Sequence, residues 1–246
     1  MTRVGPALTL HAWLRYDVIL RQLRRATGVQ SILEIGAGQG GVGLMLARRY
    51  SYTGLEPDPA SFAVAKSRFD RAGLREIVHT DLAAFPPDAP FDLVCAFEVL
   101  EHIEDDSGAI VEWMARLRPG GWLLVSVPAG QDRFSAADRK VGHYRRYDRG
   151  DIAGLLTAAG LIEVSVVTYG FPAGYALVAG RNVLARRHEV GGSMSDRTAA
   201  SGRWLQPPDW AAPATHLLAA PLRLAQRPFG SSRLGTGLVA LARRLA

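Results

Sequence analysis

The sequence predicts an α/β protein with a doubly wound, mostly parallel seven-stranded sheet and a helical insertion before the last strand. Three observations lead there. Short apolar runs alternate with helical stretches from residue 31 to residue 169, the rhythm of strand–helix–strand units. Residues 91–97 (FDLVCAF) are almost continuously apolar, as a strand covered on both faces is. Glycines and carboxylates recur just past the strands, where open parallel sheets bind their ligands.

Residues 9–26 read as an amphipathic helix, with Leu10, Trp13, Leu14, Ile19, Leu20 and Leu23 on one side and Gly28 beyond its end. Residues 31–35 form the first strand and run into a glycine cluster and a helix over 41–49. The second strand is 52–56. Asp58 and Pro59, an N-cap followed by proline in the first turn, open a helix to about residue 72. Strands follow at 77–80, 91–97 and 122–127, with a helix over 106–117 between the last two. Asp148 caps a helix that Gly160 ends, and 161–169 is the sixth strand. The rhythm then breaks. A helix is expected over 171–187, a polar Gly/Ser-rich linker over 188–202, and patches of helix over 204–226 interrupted by Pro207, Pro208, Pro213 and Pro221. Residues 235–243 (GTGLVALAR) read as the final strand. The expected organisation is a helical segment at 1–28, a core at 29–170 with 235–246, and an insertion at 171–234.

Composition narrows the function classes. With 48% hydrophobic residues and mean hydropathy near zero, the chain is globular rather than disordered. The single cysteine, Cys95, excludes a disulfide framework and a cysteine-rich zinc site; its apolar setting predicts an inert buried thiol. No stretch reaches the ~20 apolar residues of a membrane span, and no export signal is visible, so a cytoplasmic enzyme is expected. The net charge of +6 is uneven. From residue 181 onward ten arginines face three acids, so that part carries +7 and residues 1–180 carry −1. A cationic tail favours phosphate-bearing partners or anionic surfaces. Arginine also outnumbers lysine 27 to 2, which is equally consistent with a compositional bias.

The chemistry concentrates at the strand ends. Residues 34–41 (EIGAGQGG) combine a tight turn with free N–H groups at the start of a helix, a place where a ligand approaches without a Cβ in the way. Gly36, Gly38 and Gly41 also satisfy G-x-G-x-x-G, with Glu56 twenty residues past Gly36, so a dinucleotide site fits this stretch too. Two carboxylates separate the readings. Glu34 suits a cofactor bearing ammonium and sulfonium groups and opposes a pyrophosphate. Asp81, after the third strand, can accept from an adenine amino group with Leu82 against the ring.

These stretches together resemble the class I S-adenosylmethionine-dependent methyltransferases: LEIGAGQG (33–40), GLEPDP (54–59), HTDL (79–82), FDLVCAFEVLEHIED (91–105) and LRPGGWLLVSVP (117–128). The resemblance covers about residues 30–170 and implies a Rossmann-like fold. It also implies that Glu34, Gly36, Ala37, Gly38 and Gly40 line the methionine end of the cofactor, Glu56 holds the ribose hydroxyls, Asp81 and Leu82 meet adenine, and Phe97 and Glu98 border it.

Residues 98–102 (EVLEH) look most like the version in ubiquinone-pathway O-methyltransferases and in small-RNA 3′-end methyltransferases. In some of those, Glu-x-x-Glu-His binds a divalent cation. Carboxylates three apart on a helical turn share a face with the adjacent imidazole, which suits a partly hydrated Mg²⁺. This makes Glu98, Glu101 and His102 candidate ligands, and the resemblance to the RNA-methylating relatives, where a histidine in a comparable loop is a further ligand, adds His143 from the loop GHYRRYD (142–148). The same segments also read without a metal, with His102 or His143 as a general base for a hydroxyl acceptor. Tyr144, Arg145, Arg146 and Tyr147 are candidate substrate contacts, the arginines pairing an acidic group. His11, His79, His188 and His216 are expected outside the pocket.

The expected function is methyl transfer to a small, apolar acceptor, most simply at oxygen. Two other readings compete. An RNA methyltransferase is favoured by EVLEH and the basic tail, but the tail lacks the interleaved stacking aromatics of an RNA module, which disfavours a nucleic-acid partner. An NAD-dependent oxidoreductase is disfavoured by Glu34. The insertion, with its Trp, Leu and Arg content, is expected to cover the strand ends as a lid, a dimer contact or a peripheral membrane element.

Overall fold

A computed structural model describes residues 6–86, 90–185 and 206–246. Seven strands form one sheet: β1 (Ser31–Ile35), β2 (Ser51–Leu55), β3 (Ile77–Val78), β4 (Phe91–Phe97), β5 (Leu117–Pro128), β6 (Ile162–Tyr169) and β7 (Gly237–Arg243). Their order is β3-β2-β1-β4-β5-β7-β6. The first five are parallel, and β7 runs antiparallel to both β5 and β6. The carboxyl ends of β1 to β6 therefore share one edge of the sheet, and β7 begins there.

Period-two alternation divides the strands between two cores. Ile32, Leu93, Cys95, Trp122 and Leu124 face one layer. Leu33, Val94, Ala96, Leu123 and Val125 face the other. Cys95 is fully buried, as its apolar context predicts.

Helix α1 (Leu10–Leu23) belongs to the first layer. Thr9 caps it by accepting the Ala12 N–H, and Trp13, Leu14, Val18 and Ile19 are buried against the sheet. Each contributes about 1.5–3 kcal/mol of apolar burial. The segment set apart at 1–28 thus supplies part of the core. Helices α2 (Gly41–Leu46) and α3 (Pro59–Arg71) follow β1 and β2, with Asp58 capping α3 by accepting from Ser61. Helix α4 (Asp106–Ala115) precedes β5. A short α5 (Ala136–Lys140), capped by Ser135 and Asp138, lies in the loop after β5, where no helix is expected from the sequence. Helix α6 (Arg149–Ala158) starts at Asp148 with a reciprocal cap from Asp151.

Beyond β6, α7 (Ala173–Ala185) is followed by residues outside the described set, which take in the whole expected linker and Trp204. Helix α8 (Ala212–Gln226) then runs unbroken through Pro221. Pro213 sits in its first turn, where its missing N–H has no partner to lose. Pro221 gives up one helical hydrogen bond. The compensation is tertiary. Gln226, 2% exposed, donates to the Leu14 carbonyl and accepts the Gly170 N–H. Trp13 donates to Thr215 and meets the His216 ring edge-on. Helix α8 is therefore fastened to α1 and to the end of β6, along the carboxyl edge.

Candidate functional site

The turn after β1 carries Gly36, Gly38 and Gly40 at φ +71, +57 and +71. Such angles are cheap only for glycine. A Cβ on Gly36 would lie 2.7 Å from Val99, so this turn packs directly on the turn after β4. Nothing lies within 4 Å of a Cβ position on Gly38, which leaves an open cradle above the loop. Glu56, at the end of β2, closes the loop from below. Its Oε2 accepts the Gly38 N–H at 2.6 Å and its Oε1 the Asp58 N–H at 2.8 Å. Burial raises its pKa above the usual carboxylate value.

Glu34 is only 3% exposed. Tyr52 donates to its Oε2 at 2.6 Å, beneath Gly43 of α2. Burial pushes its pKa up to about 7, against the effect of the Tyr52 hydrogen bond. The structure thus places this carboxylate under the glycine turn, bonded to the protein. Asp81 is exposed past β3 and accepts the Ala84 N–H, with Leu82 buried beside it. His79, expected outside the pocket, follows β3 at the same edge, its Nε2 3.1 Å from the Pro57 carbonyl and its ring stacked on Phe62.

Phe97 ends β4, buried. Glu98 follows at φ +59, a left-handed conformation that costs a non-glycine residue about 1–3 kcal/mol. Its surroundings hold it there: its N–H donates to the Ser126 carbonyl, and its Oε1 accepts from Ser126 Oγ at 3.0 Å and Tyr169 Oη at 3.2 Å. Arg15 of α1 reaches the same oxygen at 3.4 Å. Burial alone would raise the Glu98 pKa; Arg15 turns it below the usual carboxylate range.

Glu101 and His102 lie on the short 3₁₀ turn Leu100–His102. Glu101 is fully buried, and among the described residues neither carboxyl oxygen has a hydrogen-bond partner. Burial, with Glu98 nearby, drives its pKa far upward. His143 Nε2 is 4.0 Å from Glu101 Oε1. Its Nδ1 is 3.3 Å from Asp138 Oδ1. The His102 ring meets His143 edge-on at 4.6 Å, and its Nδ1 is 3.1 Å from the Gly142 carbonyl. Burial and then His143 lower the His102 pKa to about 4. Ligand atoms of Glu101, His102 and His143 all lie within 4.8 Å of one another. Three of the four expected cation ligands therefore converge. Glu98 does not join them, because Arg15, Ser126 and Tyr169 engage it.

The expected substrate contacts turn mostly inward. Arg145 Nη1 pairs Asp106 at 2.7 Å, and Arg146 binds Asp138 through Nε and Nη2 at 2.9 and 2.8 Å. Tyr147 is 3% exposed and donates to Asp106 at 2.9 Å. Tyr144 alone of the four is an exposed ring. Three contributors have no clear sequence signal: Arg15, Asp138 and Tyr169. A fourth corrects the expectation. His11 lies at the carboxyl edge, with Nε2 2.8 Å from Thr236 Oγ1 and its ring 5.4 Å from Tyr169. The sequence distance of 225 residues to Thr236 hid it.

Known proteins bear on this geometry. A family model described as a methyltransferase domain matches residues 11–166. The "Probable S-adenosylmethionine-dependent methyltransferase" of Mycolicibacterium smegmatis is 33% identical over 150 residues, 59% of this chain and 57% of that protein. A Mycobacterium tuberculosis protein of similar name is 29% identical over 62% of this chain and 56% of its own length. The chain thus aligns with a little over half of each. Among solved structures, the N-methyltransferase NodS of Bradyrhizobium japonicum, in complex with S-adenosyl-L-homocysteine, has TM-score 0.57 at 21% identity, covering 94% of this chain and 85% of its own. A Haemonchus contortus phosphoethanolamine N-methyltransferase, with S-adenosyl-L-methionine, has TM-score 0.59 at 16% identity, covering 96% and 56%. At those identities the likeness shows the fold.

Proposed function

The chain belongs to the methyltransferase-domain family, and on that premise we propose that it is an S-adenosylmethionine-dependent methyltransferase acting at an oxygen of a small, apolar acceptor. The cradle fits the cofactor: the open turn at Gly36, Ala37, Gly38 and Gly40 would take the methionine end, Glu56 the ribose, and Asp81 with Leu82 the adenine. Phe97 and Glu98 would border it. When bound, the cofactor supplies an electrophilic methyl group on a sulfonium.

One observation carries the choice of oxygen: His143 sits between Asp138 and Glu101. Asp138 Oδ1 lies 3.3 Å from His143 Nδ1, and a proton donated from that nitrogen would fix the ring. Burial works against the Asp138 charge, yet His143 and Arg146 hold its pKa well below the usual carboxylate range. Nε2 is thereby oriented to accept a proton from an acceptor hydroxyl. With that proton on His143, the acceptor oxygen would be free to take the methyl group, the sulfur keeping the electron pair of the carbon–sulfur bond. Positioning supplies the rest. The likeness of residues 98–102 to ubiquinone-pathway O-methyltransferases supports the same acceptor chemistry, and a cytoplasmic setting fits the lone buried thiol. A screen of tritiated methyl transfer over quinol, sugar, amine and RNA acceptors tests this. Label on a hydroxyl supports it; label confined to amines or RNA overturns it.

A second reading rests on Glu101. Its two unpartnered buried oxygens, with His102 and His143, would hold a divalent cation such as Mg²⁺. A cation there would lower the pKa of an acceptor hydroxyl. Turnover abolished by EDTA and restored by Mg²⁺ favours it, and EDTA-resistant turnover favours the base.

A further inference from the structure

Helix α8 has two unlike faces. Its inner face is built into the protein. Ala212 and Ala219 are buried, Gln226 is bonded to α1 and β6, and Arg223 lies 5.4 Å over the Trp13 ring. Its outer face, continued into the preceding turn, is apolar throughout. Trp210 is 83% exposed, Leu217 73%, Leu218 61% and Leu224 59%, with Pro213 and Pro221 between them. The spacing is that of one helical stripe. Soluble surfaces seldom leave such a contiguous patch in water without a use for it.

We infer that this stripe docks the protein on an anionic phospholipid surface. The charge around it says what kind of partner it fits. Asp209 is the last acidic residue of the chain, so α8 and everything after it carry only arginines. Arg227 and Arg233 are exposed beside the helix's C-terminal end, Arg227 sharing the single carboxylate of Asp17 with Arg21 of α1. Asp209 is itself taken up by Arg68 and Arg71 of α3. A Trp and leucines on one side with arginines flanking them is the make-up of a helix lying in a lipid interface. Among the described residues no helix is long and apolar enough to cross a membrane, so the contact is lateral. The inference stands apart from the choice of acceptor, since none of these residues belongs to the glycine cradle or the histidine pair.

Flotation with vesicles of phosphatidylcholine, alone or mixed with phosphatidylglycerol, tests it. The full chain is expected to float with the mixed vesicles only, and less as salt rises. Leu217→Ser with Leu224→Ser is expected to weaken that binding about tenfold or more, and Trp210→Ser to weaken it too. Both variants should keep the far-ultraviolet spectrum and the S-adenosylhomocysteine affinity of the parent. No flotation with anionic vesicles, flotation equal in parent and variants, or a dimer in sedimentation that the leucine variant dissolves would each overturn it.

Discussion

Arg15 Nη1 lies 3.4 Å from Glu98 Oε1, so the first helix of the chain is pinned to the strained turn after β4. The pair joins residues 83 apart and brings a cation to the carboxyl edge. It also offsets the burial that would otherwise neutralise Glu98. Replacing Arg15 by Met keeps the packing stem and removes the charge. We expect a loss of about 2 kcal/mol in urea unfolding, the scale of hydrogen bonds to charged groups, and a rise in the Glu98 pKa. Unchanged stability would show that α1 is held by its apolar face alone.

Much of this was legible in the chain. β1 and β4 are found where their apolar runs place them, because central parallel strands are buried on both faces and leave a plain pattern. β3 shrinks to Ile77–Val78 and α2 ends at Leu46, since edges and short helices are settled by tertiary contacts. The glycine cradle, Glu56 and Glu101–His102 lie on turns that follow strands directly, so the motif order predicts their neighbourhood, while His143 joins them from beyond α5. Arg15, His11 and Asp138 reach the site through packing of α1 and through the α5 turn. No local pattern encodes such long-range docking.

Glu56 supports both the turn and the proposed cofactor. Glu56→Ala removes the acceptor of the Gly38 and Asp58 N–H groups. Calorimetric titration with S-adenosylhomocysteine should show affinity weakened by about 1–3 kcal/mol. Parent-like affinity removes Glu56 from the cofactor site.

Gly43 tests the packing beneath the cradle. A Cβ there would lie 2.1 Å from Tyr52 Oη and 2.8 Å from Glu34 Oε2, both held in a buried hydrogen bond. Gly43→Ala is therefore expected to cost about 1–3 kcal/mol by overpacking, despite alanine's better helix propensity. A raised melting temperature would contradict this.

Glu34 makes stability depend on pH. Its pKa is about 7 in the folded protein and near the ordinary carboxylate value when unfolded. Between those values the folded state keeps a proton that the unfolded chain has lost. The stabilisation is therefore full at low pH and is lost as pH rises through 7. Urea unfolding at pH 5 and pH 8 should show the parent losing stability relative to Glu34→Gln, whose amide does not titrate. Parallel pH curves for the two proteins would rule this out.

In the proposed reaction His143, oriented by Asp138, takes the acceptor's proton. Tritiated methyl transfer by His143→Ala, measured beside its S-adenosylhomocysteine affinity, tests that role. The predicted result is a rate lowered about 10²- to 10⁴-fold with cofactor affinity unchanged, and a smaller loss in Asp138→Asn. Turnover by His143→Ala at the parent rate would contradict it.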